Sequence, residues 1–265
     1  MIESAENRVT GLVLSGGGAR GFAHVGMLHV LEESGIRPDV VSGTSMGAIL
    51  GALYANGYSA AEIEDLVRGT NLRDLIDISL KAGLLKGERL AAFLREFLPD
   101  TFEELKLPLA ITTTDIETGE QITLMDGDLT TAIRASASFP GAFEPVPYRG
   151  RVLADGGIIN NLPVDAAIYR GASWTIASDV TPVRHANYVQ PSDEGNYWER
   201  LLATVRLERR NPMLQMMLRS TDIMQAILTD IQHTLHPASV HIRAGAGLRA
   251  GGQRHLPQGL LAGAP

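Results

Sequence analysis

Pro38-Asp39-Val40-Val41-Ser42-Gly43-Thr44-Ser45-Met46-Gly47-Ala48-Ile49-Leu50-Gly51-Ala52-Leu53-Tyr54-Ala55 is the stretch on which the reading of this chain turns. It opens with a short β-branched run that reads as a strand. It ends with an apolar run, closed by Asn56-Gly57, that reads as a buried helix. Between them, Gly43-Thr44-Ser45-Met46-Gly47 has the form GxSxG, and strand, sharp turn and helix are the setting a nucleophile elbow requires. So tight a turn strains the φ and ψ of the serine, and its neighbours must be small for strand and helix to approach closely. Ser45 would then present its hydroxyl at the carboxyl edge of a sheet. In a chain with 28 glycines the pattern also arises by chance, and a glycine turn whose serine caps the helix is the competing reading.

Upstream, Val9-Thr10-Gly11-Leu12-Val13-Leu14 is another short apolar run. It ends at Ser15-Gly16-Gly17-Gly18-Ala19-Arg20-Gly21, after which Phe22, Val25, Leu28 and Leu31 recur at helical spacing as far as Gly35. Strand, glycine loop and helix make the first half of a βαβ unit. Two glycine-rich turns therefore stand at the carboxyl ends of consecutive parallel strands, where open α/β sheets form their ligand crevice.

Downstream, Ser59-Ala60-Ala61-Glu62 is a capping box opening a helix to Arg68. Asn71 to Gly87 has no clear period and reads as loop with short helical pieces, and Glu88 to Leu98 is a helix stopped by Pro99. Leu109 to Asp115 and Gln121 to Met125 are strands joined by a turn, and Leu129 to Ala137 is a short helix. Val152-Leu153-Ala154 is a strand ending at Asp155-Gly156-Gly157; Pro163 to Tyr169 is helical, and Ser173 to Ser178 is a strand. Trp198 to Arg209 is helical, and Asn211-Pro212 opens a helix running through Ile231. Met213, Met216, Met217 and Met224 on that helix would suit a pliable lipid-binding or dimer face, but helical apolar stripes ordinarily face the core, which is the expectation. Ser239 to Ile242 reads as a last strand, and Ala244 to Pro265 is glycine-rich without period.

Composition narrows the classes. The chain has 265 residues, 45% hydrophobic and 20% charged, enough for one α/β domain with a substantial core. Its formal charge of −7, from 23 Lys+Arg against 30 Asp+Glu, argues against a nucleic-acid binder and against electrostatic capture by anionic bilayers. With no cysteine, thiolate catalysis, disulfides and Cys-ligated zinc are excluded. Met1 to Arg8 carries acids and no apolar signal region, and no stretch approaches the length of a membrane span, so the expected location is cytoplasmic.

A serine hydroxyl becomes a nucleophile only when a base takes its proton, and attack on a carbonyl creates an oxyanion that needs preorganised donors. Gly16, Gly17 and Gly18 can supply converging backbone N–H groups, and Arg20 could reinforce their positive potential or simply pair with a carboxylate. Two residues qualify as the base. His24 lies one turn after the glycine loop, and Asp155 lies at a strand end in a glycine turn. A lone aspartate is ordinarily too weak a base unless burial raises its pKa, and spacing does not choose between them. Gly16, Gly18 and Gly21 also satisfy GxGxxG, but the acid that would hold a ribose at the end of the second strand is replaced by Ser42-Gly43-Thr44-Ser45. His233 and His236 have helical spacing without a third ligand, and read as exposed helix-end residues rather than a metal pair.

Three of these motifs, in this order, resemble the bacterial branch of the patatin-like phospholipase family: Gly16-Gly17-Gly18-Ala19-Arg20-Gly21, Gly43-Thr44-Ser45-Met46-Gly47 and Asp155-Gly156-Gly157. Ala23-His24-Val25-Gly26, Ala135-Ser136-Ala137-Ser138-Phe139-Pro140-Gly141 and Gly157-Ile158-Ile159-Asn160-Asn161-Leu162-Pro163 are similar to it as well, so the likeness runs from about Val9 to Val180. The resemblance implies an α/β fold, a three-layer α/β/α sandwich with a mostly parallel central sheet. It also implies lipid acyl hydrolysis by a Ser-Asp dyad, without histidine, metal or cofactor. Ser45 matches the nucleophile, Asp155 the general base, and Gly16, Gly17, Gly18, Arg20 and Gly21 the oxyanion loop. Gly43 and Gly47 match the elbow, Gly156 and Gly157 the turn beside the base. His24 becomes structural. One hydrolase domain over 9–243 is expected, with poorly structured termini at 1–8 and 244–265. A lipid or acyl-ester substrate and transient contact with a membrane surface follow, with Asn71 to Gly87 and the Met-bearing helix as candidate walls of the crevice. A different class, a regulatory or adaptor protein on the same scaffold, is the alternative. The tail after Ile242 departs from the family's usual closing strand and helix.

Overall fold

A computed structural model of the chain describes residues 8–70, 75, 77, 85–181 and 212–243. The expected helix at Trp198 to Arg209, the cap at Asn211, most of Asn71 to Gly87 and nearly all of both termini lie outside the described residues. Along the chain come β1 (Thr10–Leu14), α1 (Ala23–Glu33), β2 (Val40–Thr44), α2 (Met46–Ala55), α3 (Ala60–Gly69) and α4 (Glu88–Leu94). Next are β3 (Leu109–Asp115), β4 (Gln121–Leu124), α5 (Leu129–Ser136), β5 (Val146–Tyr148), β6 (Arg151–Asp155), α6 (Val164–Tyr169) and β7 (Trp174–Asp179). The long α7 (Pro212–Leu235) and β8 (Val240–Arg243) come last.

The strands form one sheet in the order β5-β6-β3-β2-β1-β7-β8, with β4 also paired to β3. From β3 to β8 all neighbours run parallel; β4, β5 and β6 add an antiparallel flank. Val40 to Thr44 and Leu109 to Asp115 are buried throughout, as expected of parallel strands covered on both faces. Alternation along β1 separates the two covers. Leu12 and Leu14 join the large core with Val25 and Leu28 of α1, Leu50 and Leu53 of α2, and Ile133 of α5. Val13 turns to the opposite face, against Val164 and Ala167 of α6. Three layers result, helices on both sides of a mostly parallel sheet.

The capping box at Ser59 forms as written: the Glu62 N–H donates to Ser59 Oγ, and the Ser59 N–H donates to Glu62 Oε2 at 2.8 Å. Elsewhere the elements differ from the periodicity. α4 ends at Leu94, while Leu98 remains buried through turns that follow it. β5 is three residues with a proline at its centre, too short for any period to register. α7 continues past Ile231 to Leu235, and its faces are reversed from expectation: Gln225, Ala226 and Thr229 are buried, whereas Met216, Ile223, Met224, Ile227 and Ile231 are exposed. The helix packs through small and polar groups because it lies over the end of the sheet, on the turn at Gly156–Ile158, rather than on the apolar face.

Close approach of α2 to β1 depends on Gly47. A Cβ there would lie on the Leu14 carbonyl and 2.7 Å from the Ser15 oxygen, both backbone atoms of the central strand's end that cannot step aside. Gly47→Ala is therefore expected to destabilise the fold by about 2 to 3 kcal/mol. Thermal denaturation would read this as a midpoint lower by roughly 5 to 10 °C.

Candidate active site

Ser45 stands at the junction of β2 and α2 with φ 53° and ψ −120°, one of two described non-glycine residues at positive φ. Such a backbone costs on the order of 1 to 3 kcal/mol and persists only where its surroundings fix it. Here the Ser45 N–H donates to Ser136 Oγ at 2.9 Å, and the Ser136 hydroxyl donates to the Thr112 carbonyl at 2.7 Å. The Ser45 carbonyl receives the first N–H groups of α2, from Ala48 at 2.9 Å and Ile49 at 3.1 Å. Gly43 lies directly beneath, where a Cβ would be 2.7 Å from the Ala48 nitrogen.

Asp155 reaches this serine from an unexpected direction. β6 runs antiparallel, with Asp155 opposite Thr113, so β3 lies between the aspartate and the elbow. β6 lies between β5 and β3, and its chain turns at Gly156, where a Cβ would run into the Thr112 carbonyl. The Asp155 N–H is held by Ser138 O at 3.0 Å, and its carbonyl receives the Thr114 hydroxyl at 3.0 Å. Its buried carboxylate accepts a hydrogen bond from the Gly157 N–H at 2.7 Å and lies close enough to Ser45 for the serine side chain to hold its pKa down. Burial pushes the Asp155 pKa up to about 6, against the pull of those two groups. It thus caps the Gly156–Gly157 turn and faces Ser45 at once; the two sequence readings of this residue are not exclusive.

His24 has no such access. It is fully buried, with Nε2 donating to the Ser15 carbonyl at 2.8 Å and Nδ1 accepting from the Ser178 hydroxyl at 2.8 Å. Burial lowers its pKa to about 4, so the ring is neutral and both nitrogens are spent on joining β1 to β7.

The glycine loop lies beside the elbow, with the place of a Gly16 Cβ 3.3 Å from that of Ser45. Three converging amides were expected there; two are available. The Gly16 N–H donates to the Asn161 carbonyl at 3.0 Å, whereas the N–H groups of Gly17 and Gly18 meet no acceptor among the described residues. Gly18 holds φ 54° at the start of a 3₁₀ turn (Gly18–Phe22), and Gly21 packs that turn onto Met46. Arg20 pairs with Asp222 of α7 at 3.0 Å, the plainer of its two sequence readings.

Several supporting residues lay inside the family-like stretches of the sequence but were given no role there. Ser136 closes the buried face of α5, and a serine at an otherwise apolar helical position near a breaker cluster is the signal by which it could have been singled out. Asn161 donates from Nδ2 to the Gly16 carbonyl at 3.1 Å and to Thr181 Oγ1 at 2.9 Å, and Thr44 donates to the Asn160 carbonyl at 3.1 Å. The pair fastens the glycine loop and β2 to the segment after Asp155. His233 is not an exposed partner of His236; its ring lies against His241 at 4.1 Å between centroids. Among the described residues no helix is long and apolar enough to cross a membrane.

Fold and site define an α/β/α protein whose strained elbow serine faces a buried carboxylate beside a glycine loop. Residues 12–168 match the model of the patatin-like phospholipase family, and the chain belongs to that family. It is 39% identical over 179 residues to patatin-like phospholipase domain-containing protein 6 of Mus musculus, covering 64% of this chain and 13% of that protein. With an NTE family protein of Mycobacterium tuberculosis it shares 37% over 185 residues, 66% of this chain and 51% of the relative. The match thus spans about half of the mycobacterial relative and about an eighth of the mouse one. Its fold is also similar to that of VipD from Legionella pneumophila, with a TM-score of 0.51 at 16% identity over 67% of this chain and 50% of that one.

Ionising Asp155 in this setting opposes folding. Its folded pKa of about 6 stands above the unfolded value near 3.8, so the native state binds more protons between them and stability falls as pH rises through that window. Asp155→Asn, which never ionises, should gain stability over the parent through pH 4 to 6. The advantage should level off at about 3 kcal/mol above pH 6 and be absent at pH 4 and below, measured by urea unfolding across pH.

Proposed function

We propose that the chain is a serine-dependent lipid acyl hydrolase in which Ser45 and Asp155 act as a dyad. The observation that carries this reading is the strained elbow serine, Ser45, set beside the buried Asp155 carboxylate, close enough to influence its ionisation. Ser45 Oγ attacks the ester carbonyl while Asp155 takes its proton and then passes it to the leaving alcohol. The free N–H groups of Gly17 and Gly18 receive the developing oxyanion. Water attacks the acyl-enzyme, again deprotonated by Asp155, and releases the fatty acid. Asp155 is suited to this because burial has moved its pKa to about 6, much nearer neutrality than an exposed aspartate. The step needs no metal, and residues 9–243 are read as one hydrolase domain.

The substrate class follows from the family and from the surface. The mouse relative is named for a patatin-like phospholipase domain, and α7, which meets the glycine loop through Asp222, exposes Met216, Ile223, Met224, Ile227 and Ile231 along one side. An apolar row beside the site suits transient contact with a lipid surface.

A fluorophosphonate probe should label Ser45 alone, mapped by peptide mass spectrometry. Ser45→Ala and Asp155→Asn should each lower turnover of a p-nitrophenyl ester by about a thousandfold or more. Because the base must be ionised, kcat/KM should fall as pH drops through about 6. A wild-type chain that is neither labelled nor active would leave the adaptor reading in its place.

A further inference from the structure

We propose that Gln225 of α7 positions the water that hydrolyses the acyl-enzyme, in a polar cleft in front of Gly157 that it shares with Asn161 and Asp155. This rests on the dyad reading above and adds to it a residue beyond 168, outside the family's matched region.

The helix is brought to the site by contacts of its own. Asp222 pairs with Arg20 at 3.0 Å, Asp230 pairs with Arg243 at 2.9 Å, and Ala226 and Thr229 are buried. Between these anchors Gln225 is only 9% exposed, and its amide is not among the fully buried polar atoms that lack a partner, so what access it has to water is at the tip of the side chain. The tip is directed at Gly157. A Cβ placed on Gly157 would stand 2.6 Å from Gln225 Nε2, 2.7 Å from Asn161 Oδ1 and 3.0 Å from Asp155 Oδ1. Three polar atoms, one from α7 and two from the segment that flanks Gly157, thus crowd the side where a Cβ would stand, and only glycine lets them gather there.

Their chemistry is complementary to water. Asn161 Nδ2 is committed to Gly16 O and Thr181 Oγ1, so its Oδ1 is the end turned to the cleft, and it accepts. Asp155 Oδ1 also accepts, while Gln225 Nε2 donates. Two acceptors and one donor match the two protons and a lone pair of a water molecule. A phosphate oxygen would meet two acceptors there and is disfavoured. In deacylation this water gives a proton to Asp155 as its oxygen bonds to the acyl carbon. The bond from that carbon to Ser45 Oγ then breaks, the serine regains the proton from Asp155, and the carboxylic acid leaves. Gln225 fixes the lone pair that is not attacking.

Gln225→Leu and Gln225→Met, compared with the full-length parent, separate this role from others. Labelling of Ser45 by a fluorophosphonate needs no water, and its rate should stay within about twofold of the parent in both variants. Steady-state hydrolysis of p-nitrophenyl butyrate should fall about 10-fold or more, with an initial burst of nitrophenolate as acyl-enzyme accumulates. Unchanged turnover, or labelling and turnover that fall together, would overturn the proposal. A parent chain that is not labelled at all would instead overturn the hydrolase reading on which it stands.

Discussion

The conformation of Ser45 depends on how closely α2 can lie on the central strands. The elbow is held from three sides: α2 bonds to its carbonyl, Ser136 holds its N–H, and β1 fixes the depth at which Gly47 sits. None of these contacts touches the serine hydroxyl. The strain is thus stored in the backbone and maintained by packing across β1, β2 and α5, which leaves the side chain free to face Asp155. A hydroxyl presented in this way has its position fixed by the backbone in advance, which is the kind of preorganisation the proposed reaction would draw on.

Three buried titratable groups surround this geometry, and they respond differently to pH. Asp155, raised by burial to about 6, costs stability when ionised. His24, lowered by burial to about 4 against the opposing influence of Ser15 and Asp179, costs stability when protonated, so its penalty grows as pH falls from 6.5 toward 4. Asp179 is buried too, but hydrogen bonds from His241 and Thr181 and the charge of Arg243 outweigh desolvation and hold it at about 2. Its stabilisation is complete above the unfolded value near 3.8 and is lost as pH falls through 2. Of the two carboxylates, Asp179 has cationic partners and Asp155 has none, so hydrogen bonds alone oppose the desolvation of Asp155.

Much of this was legible in the residues, and the limits have physical causes. The elbow and the glycine loop announced themselves because close backbone approach demands glycine at fixed spacing, and the Ser59 capping box because its contacts are local. The choice of Asp155 over His24 needed the family likeness, because it depends on a long-range pairing: β6 enters antiparallel across β3, and no local pattern encodes that. The Gly16 amide shows the same limit, since its capture by Asn161 joins residues 145 positions apart in the chain. α7 misled for another reason. A helix resting on the end of a sheet is buried through Gln225, Ala226 and Thr229, so the usual equation of apolar face with core does not hold for it.

The ion pair between Arg20 and Asp222 spans 202 positions of sequence. It ties the loop after β1 to α7, so the polar side of Gly157 is walled only once α7 is in place. Contacts of such separation carry a high loop-closure entropy and form late in folding. On a chain being synthesised, the elbow, the glycine loop and Asp155 all emerge before α7. Until that helix docks, a serine and its neighbouring carboxylate stand without the wall that Gln225 provides. Docking of α7 thereby becomes a condition for completion of the site.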